Sequence, residues 1–507
     1  MNFKLAMLQD EYWWGGAVED GCKMPLSHKT VYILDYKVNA TYNQVNPIWL
    51  SNKGRFLYVK GGSRLSVQNG CIEVSGAEDY ILESGHRTLK GAFQAVAQKF
   101  FKKEEKQIPS VMLTAPQYCT WVDMLRNVSE ERVLAYAESI VNGGMKPGVL
   151  IIDDGWMKTY GQWEFTSAFV NPKEMVKKLH EMGFKVILWM CPFVSVGAKD
   201  YDLLKEKGAL CIDKDGKIAM REWWNGTDAV LDGSHPFAFE WLNKTLKNLM
   251  QEYGVDGFKF DAGDGMYYEH DDITYAGVTP NEQSRLWAEF ANKFEYSELR
   301  ACYEYGGASI AQRLADKKSV WGEKGLSTLI PNMIQAGLCG YGYCCPDMIG
   351  GGNEADFATG SPKDEELFLR SCQCSSLMPM MQFSYSIWRS QNVALKESIK
   401  EYSHVRDNYC EYLLSLAEHC RKTNEPILRN LEYVFPNQGL EGISDQFMLG
   451  DKILVAPVVE QGARKREVVL PQGCYWKYIP NGHTYEGGQT IVVDAPVEVL
   501  PYFTRNI

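Results

Sequence analysis

Short stretches of alternating apolar and polar residues fill the first hundred positions of the chain. TVYILDY, GRFLYVKG, RLSVQNGCIEVSG and DYILESG are rich in β-branched and aromatic residues, and turn signals at 52–54 and 68–70 separate them. Alternation bounded by turn residues is typical of antiparallel strands. Residues 1–107 are therefore predicted to form an N-terminal β-sandwich domain.

From residue 108 the spacing of the apolar residues changes, and predicted apolar strands alternate with predicted amphipathic helices. The predicted strand VMLTAPQY is followed by the helical pattern SEERVLAYAESIVNGG and the apolar run GVLIIDDGW. The unit recurs as KEMVKKLHEM before FKVILWMCPF, and as FAFEWLNKTLKNLMQEY before VDGFKFDAGD. Continuous apolar strands indicate a parallel sheet that helices cover on both faces. Residues 108–424 are therefore predicted to form an α/β domain, a (β/α)8 TIM barrel.

A doubly wound open sheet is the alternative fold for this region. No glycine-rich phosphate loop follows any of the predicted strands, which disfavours it. From residue 425 the β pattern returns in QFMLGDKILVAPVV, KREVVLPQGCYWKYI and QTIVVDAPVEVLPYF. Residues 425–507 are predicted to be a second, C-terminal β-sandwich domain.

Composition narrows the class of protein. The 507 residues carry a net charge of −11, which argues against a nucleic-acid partner because such proteins present a basic face. The N-terminus lacks the pattern of a signal peptide, and no apolar run approaches the ~20 residues that span a bilayer, so no membrane partner is expected. Fourteen cysteines without a CxxC pair indicate reduced thiols and a cytoplasmic protein. The sequence leaves open whether the chain forms a homo-oligomer.

Acids and tryptophans stand where predicted barrel strands end, which is where barrel enzymes carry their active sites. They are Asp153, Asp154, Trp189, Asp261, Asp264 and Asp347. Carboxylates without a histidine or cysteine cluster suggest work on an acetal, with one ionised carboxylate below the anomeric carbon and one protonated carboxyl at the leaving oxygen. A single strand-end acid can also cap a helix or pair with a base. Lys259 precedes Asp261 by two residues and lies on the same side of the strand, which favours the functional interpretation for Asp261.

GFKFDAGD resembles the nucleophile strand of glycoside hydrolase family 31, the retaining α-glycosidases. LIIDDGW, GYGYCCPDMIGG and DQFMLGDKILVAPVV resemble further barrel strands and the C-terminal domain of that family, so the resemblance covers most of the chain. ADKKSVWGEKGLSTLIP and MPMMQFSYSIWR resemble in particular the α-galactosidase-like branch that includes the myogenesis-regulating glycosidase. The resemblance implies a catalytic barrel, a small oligosaccharide or α-glycoside as substrate, and neither a cofactor nor a metal.

The resemblance also implies roles for individual residues. Asp261 falls at the nucleophile, Lys259 at a substrate-hydroxyl contact, Trp189 at an aromatic residue that lines the subsite of the cleaved sugar, and Arg300 at a substrate-binding arginine. Asp153 and Asp154 are likewise predicted to bind substrate.

The acid/base departs from the family motif. Many members carry it as the aspartate of W-[ST]-G-D, where this chain has Arg313-Leu314-Ala315-Asp316. The competing acids are Asp316, Glu323 and Glu304. Asp316 lies 16 residues after Arg300, which fits the family spacing, and is predicted to be the acid/base; Glu323 is the second choice.

A histidine that family α-glucosidases commonly carry after the last barrel strand is missing from QFSYSIWR, and Asp154-Gly155 also differs from many relatives. Both departures favour galactose; α-glucosidase, α-xylosidase and α-N-acetylgalactosaminidase activities are the alternatives. An eliminative lyase, an inactive sugar-binding protein, and a metal-dependent barrel that uses Asp153, Asp261 and Asp347 stay open as other classes.

Overall fold

The structure, a computed structural model, describes residues 1–36, 43–357 and 364–506. An N-terminal β region, a central barrel and a C-terminal β domain follow one another along the chain. This arrangement confirms the predicted α/β fold, a (β/α)8 TIM barrel flanked by β domains.

The N-terminal region consists of two sheets. The first contains, in spatial order, Phe3–Ala6, Cys71–Ser75, Arg64–Gln68 and Tyr32–Asp35. The second contains Trp13–Ala17, Gln44–Ser51, Phe56–Lys60 and Asp79–Glu83. Tyr32 of the first sheet packs edge-on against Trp49 of the second, with 5.8 Å between ring centroids. The apolar sides of the alternating strands therefore meet in a sandwich core.

Eight parallel strands form the barrel, and their spatial order follows the chain. The first to eighth barrel strands are Gln117–Cys119, Val149–Ile152, Lys185–Met190, Gly257–Phe260, Tyr296–Leu299, Ala311–Arg313, Cys344–Cys345 and Gln382–Phe383. The eighth pairs with the first. After the seventh strand, the Ile349 amide donates to the Gln382 carbonyl at 2.8 Å. The sheet thus closes on itself, and the carboxyl ends of all eight strands meet at one face.

Helices cover the outside of this barrel. They are Glu130–Asn142, Pro172–Glu181, Pro236–Tyr253, Pro280–Ala291, Leu329–Leu338, Glu365–Ser376 and Val393–Val405. Further helices are Leu89–Phe100, Ser110–Thr114, Trp121–Met124, Tyr201–Glu206, Cys410–Thr423 and Leu431–Val434. Their starts follow the capping rules: the Ser129 hydroxyl accepts from the Arg132 amide, and Thr279 with Glu282 forms a capping box.

Two local features differ from the prediction or from the regular barrel. The prediction of one strand over VMLTAPQY is wrong in its first half, where Ser110–Thr114 is a helix and the strand begins at Gln117. An apolar run this short fits either state, and periodicity does not separate them.

In the described chain no helix joins the fifth and sixth barrel strands. Instead, Cys302–Tyr303 pairs in parallel with the N-terminal strand Gln44–Ser51.

Two insertions build up the carboxyl face of the barrel. A hairpin, Met157–Thr159 with Gln162–Phe165, follows the second strand. After the third strand, Phe193–Val194, Gly226–Val230 and Met220–Trp223 form a small antiparallel sheet. These insertions carry tyrosine and tryptophan side chains to the mouth of the barrel.

The C-terminal domain is a second β structure with its own apolar core. One sheet contains Leu428–Arg429, Phe447–Leu449, Ile453–Val455, Tyr502–Asn506, Tyr475–Tyr478 and Thr484–Glu486, and Lys465–Leu470 pairs with Gln489–Asp494. Its core centres on Trp476 and Phe503. The buried Arg370 of a barrel helix donates to the Ala495 and Val499 carbonyls and so fastens this domain to the barrel. Within the described ranges, no helix has both the length and the apolar character to cross a membrane.

Candidate active site

A cavity of about 610 Å³ opens at the carboxyl face of the barrel. The seven residues that the sequence predicts to be catalytic or substrate-binding line it: Asp153, Asp154, Trp189, Lys259, Asp261, Arg300 and Asp316. The strand-end candidates Asp264 and Asp347 are not part of this lining. The seven lining residues come from the ends of the second to sixth strands or from the loops that follow. Parallel pairing explains the convergence, because residue 189 lies opposite 259 and residue 259 opposite 298 in the registers of neighbouring strands.

Asp261 is held on several sides. The Trp189 indole N–H donates to its Oδ2 at 2.7 Å, and the Ala262 amide donates to its Oδ1 at 2.9 Å. The Arg300 guanidinium lies 3.8 Å from Oδ1. Ala262 adopts a left-handed φ of 51°, a conformation that non-glycine residues rarely adopt and that tends to occur at functional sites. The carboxylate is thereby fixed in one orientation at the cavity floor.

The pKa of Asp261 reflects burial and the surrounding cations. Burial alone would raise it, but Lys259, then Arg300 and Arg313, with the Trp189 hydrogen bond, lower it to about 2. An opposite charge nearby favours the ionised form. Asp261 is therefore a carboxylate at any pH near neutrality.

Lys259 makes its hydrogen bond to Asp153 and not to Asp261. Its ammonium donates to Asp153 Oδ2 at 2.7 Å, and both side chains are buried. Burial disfavours the Lys259 charge, yet Asp153 holds the Lys259 pKa above its usual value. Asp153 Oδ2 also accepts from the Cys119 thiol at 3.0 Å. The Lys259 charge thus lowers the pKa of Asp261 electrostatically, while the Lys259 ammonium donates its hydrogen bond to Asp153.

Asp154 faces a different set of partners. Its Oδ2 accepts from the Arg126 Nε at 3.1 Å, from the Asn225 amide at 2.9 Å and from the Tyr160 hydroxyl at 3.1 Å. Burial, and then Asp153, raise the pKa of Asp154 above its usual value. These contacts tie the second strand to both insertions and shape one side of the cavity.

Asp316 is the exposed counterpart of Asp261. Its side chain keeps 39% of its surface exposed, and its Oδ1 accepts from Arg313 Nη1 at 2.6 Å. The same nitrogen donates to Asp347 Oδ1 at 3.0 Å. The competing acids lie elsewhere: Glu323 is exposed and outside the cavity lining, and Glu304 accepts from the Tyr58 hydroxyl.

Several residues of the cavity were not predicted as site residues. Arg313 is one; its only sequence signal was its place in the family's W-[ST]-G-D motif. Others include Trp121, Arg126, Trp223, Trp224 and Tyr267. Trp224 lies over the Arg300 guanidinium, 4.7 Å from ring centroid to Cζ. The adjacent pair at 223–224, between the third strand and its helix, is a signal that could have been used.

A protein-bound metal ion needs several liganding side chains grouped in one place. No three histidine, cysteine, aspartate or glutamate residues of the described chain are grouped so that they could hold a metal ion. Asp153 is already paired with Lys259, and Asp347 with Arg313.

Family models match the barrel and the C-terminal domain. The model of the glycosyl hydrolases family 31 TIM-barrel domain matches residues 107–416, and that of the family 31 C-terminal domain matches residues 424–506.

Individual proteins agree with these models. The myogenesis-regulating glycosidase of Mus musculus is 33% identical over 421 residues, which is 81% of this chain and 58% of the relative. The 1,3-alpha-isomaltosidase of Kribbella flavida is 26% identical, over 67% of this chain and 50% of the relative. The chain thus spans about half the length of these curated relatives.

Solved structures show the same fold. A family 31 alpha-xylosidase from a soil metagenome, complexed with xylose, superposes with a TM-score of 0.87 at 22% identity, over 99% of this chain and 79% of the other. A family 31 dextranase from Flavobacterium johnsoniae, complexed with glucose, gives 0.84 at 20% identity, over 99% and 66%.

Proposed function

The chain belongs to glycoside hydrolase family 31, and from this premise we propose that it is a retaining exo-α-glycoside hydrolase that works by a two-aspartate double displacement. Asp261 is the nucleophile and Asp316 the acid/base. The observation that carries the proposal is the contrast between these carboxyls, which line one cavity but differ in burial and partners. Two titratable groups with different environments are what acid/base assignments require.

In the first step the Asp261 carboxylate attacks the anomeric carbon, and a glycosyl–oxygen bond forms as the bond to the leaving oxygen breaks. Asp316 gives its proton to that leaving oxygen. In the second step Asp316 takes a proton from water, whose oxygen displaces Asp261 from the anomeric carbon. Two inversions give overall retention, for which the carboxyls should lie roughly 5–5.5 Å apart.

The remaining cavity residues fit a sugar. Lys259, Asp153, Asp154 and Arg300 offer charged donors and acceptors to hydroxyls, and Trp189 offers a ring edge beside the nucleophile. The buried Lys259–Asp153 pair closes the cavity floor, while the exposed Trp224 stands at its mouth. A pocket closed at one end favours the terminal sugar of a chain, which is the exo mode.

Galactose is the sugar that we propose for this pocket. This proposal is based on the resemblance to the α-galactosidase-like branch and on the missing histidine in QFSYSIWR. In the described part of the chain, residues 382–389 contribute no side chain to the cavity lining. A reducing, cytoplasmic setting is also proposed, because all 14 cysteines lie in the described ranges and none forms a disulfide.

A screen of aryl α-glycosides tests both parts of the proposal. The α-galactoside, α-glucoside, α-xyloside and α-N-acetylgalactosaminide are compared by kcat/KM, and proton NMR identifies the anomer released first. The proposal expects the α-galactoside to be the best substrate and the α-anomer to appear first. A preference for α-glucoside would overturn the sugar assignment, and a first-formed β-anomer would overturn retention.

A further inference from the structure

Arg313 occupies an unusual place in the cavity. It stands where the family motif W-[ST]-G-D begins with tryptophan, so an apolar ring is replaced by a charge. Its side chain is 2% exposed, and its Nη1 donates to Asp316 at 2.6 Å and to Asp347 at 3.0 Å. Its Nε lies 3.5 Å from Glu298 on the far side. One buried guanidinium is therefore shared among three carboxyls.

This contact creates a difficulty for the acid/base role. A guanidinium hydrogen-bonded to a carboxyl favours the ionised form. A general acid must begin each turnover with its proton. Arg313 acting on Asp316 alone would thus remove the proton that the leaving oxygen needs.

Asp347 is a second carboxyl that accepts a hydrogen bond from the same Arg313 nitrogen and so competes with Asp316 for the guanidinium charge. Its Oδ2 accepts the backbone N–H groups of Lys317 at 2.6 Å and Gly352 at 2.9 Å. The Lys317 ammonium does not face it and instead pairs with Glu19 at 2.7 Å. Among the described residues, the charged groups that face Asp347 are Arg313 and Asp316, with Glu298 behind the guanidinium and the Cys345 thiol at the end of the preceding strand.

The Asp347 carboxyl has a raised pKa. Burial, and then Asp316, raise the pKa of Asp347 to about 7, although Arg313 and the backbone amides oppose the shift. Gly352 packs closely against both carboxyls: a Cβ at that position would lie 2.6 Å from Met348 Cε, 2.9 Å from Asp347 Oδ1 and 3.0 Å from Asp316 Oδ1, so no larger residue fits there without a shift.

We propose that Asp347 is a positioning residue for the acid/base: through the shared Arg313 nitrogen it takes up guanidinium charge, and the two carboxyls hold one proton between them, which Asp316 delivers to the leaving oxygen. The inference rests on the proposed role of Asp316. The proton moves from the pair to the glycosidic oxygen as the carbon–oxygen bond breaks, and water returns it in the second step. No further reactant is needed.

Leaving-group-dependent pH profiles test the proposal. In Asp347→Asn the whole Arg313 charge acts on Asp316, so the basic limb of kcat/KM should move to lower pH by about one unit. For alkyl or sugar leaving groups the rate at pH 7 should fall roughly five- to tenfold, because a one-unit shift lowers the protonated fraction of the acid/base by that factor. Dinitrophenyl glycosides, which need little protonation, should lose less than about threefold.

A matched control separates this effect from general damage. Asp232 is also a buried aspartate that accepts backbone N–H groups, from Ser234 at 2.9 Å and Tyr275 at 2.7 Å, but it does not line the cavity. Asp232→Asn should leave the basic limb in place. An unmoved limb in Asp347→Asn, or an equal loss for every leaving group, would overturn the proposal.

A second readout does not depend on turnover. Because the folded pKa of about 7 exceeds the roughly 3.9 of an unfolded aspartate, the native state alone holds this proton between those values. Stability conferred by it is greatest near pH 4, falls as pH rises to about 7 and is then constant. The thermal midpoint of the wild type should therefore fall relative to that of Asp347→Asn between pH 5 and 7.5.

The pH profiles of kcat/KM and the thermal midpoints together distinguish failure of this proposal from failure of the proposed function. Midpoint curves that stay parallel across this range would overturn the proton pair whatever the activity. A wild type that cleaves no α-glycoside, yet shows the relative fall in midpoint, would retract the proposed function and the delivery step and leave the shared proton supported.

Discussion

The Asp261 side and the Asp316 side of the cavity use the same residue type in opposite surroundings. Asp261 is buried, accepts from an indole and a backbone amide, and lies in the field of Lys259, Arg300 and Arg313. Asp316 is partly exposed and shares one guanidinium nitrogen with a buried second carboxyl. The first setting fixes a charge, and in our proposal the second makes a proton exchangeable. The environment, and not the residue type, divides the proposed work between nucleophile and acid/base.

Removal of the fixed charge should have the largest effect. Asp261→Ala leaves nothing to capture the anomeric carbon, so kcat/KM should fall on the order of 10⁴-fold or more for every leaving group. Steady-state assays with activated and unactivated glycosides measure the loss, and circular dichroism checks the fold. Activity within tenfold of the wild type would show that Asp261 is not the nucleophile.

Removal of the proposed acid/base should slow the reaction strongly only for leaving groups that need protonation. Asp316→Ala should lower kcat/KM about 10²–10⁴-fold for poor leaving groups and far less at the first step for activated aryl groups. Glu323→Ala, an exposed acid outside the cavity, is the control and should change little. If Glu323→Ala destroys activity while Asp316→Ala does not, the acid/base assignment and its spacing argument are wrong.

The Trp189 hydrogen bond should matter less than either carboxyl. Trp189→Phe removes an N–H donor to a charged acceptor, worth about 1.5–3 kcal/mol, and should slow the first step roughly 10–100-fold. Trp163→Phe is the matched control, because Trp163 is also buried but its indole N–H has no partner in the described chain. Equal losses in both variants would mean that ring packing, not the hydrogen bond, is responsible.

The smallest expected effect is in the acidic limb of the pH profile of kcat/KM for the wild-type protein. With a pKa of about 2, Asp261 stays ionised as pH falls, and its share of activity is lost only near that value. Between pH 5 and 4, kcat/KM should change less than about twofold from this group. Short assays on stable protein measure it, and a limb near pH 4.5 would contradict the low pKa of the nucleophile.

Much of this fold could be predicted because apolar periodicity distinguishes alternating strands from strand–helix units. The strand-end position of Asp261 and its lysine likewise followed from a period of two. The assignment of VMLT to a strand was wrong, since so short a run fits both a helix and a strand. The Lys259–Asp153 pair joins residues 106 apart in sequence, and the Arg313 contacts join the ends of three strands. Only barrel closure brings such partners together, so local pattern carries no signal for them.

Azide products test the central claim, the unequal roles of Asp261 and Asp316, most directly. With an activated α-glycoside, azide should enter the space left in Asp261→Ala and displace the leaving group once, which gives the β-glycosyl azide. In Asp316→Ala the covalent intermediate still forms on Asp261, and azide should displace it to give the α-glycosyl azide. Opposite anomers from the two variants are the predicted result. The same anomer from both, or the reverse assignment, would contradict the account.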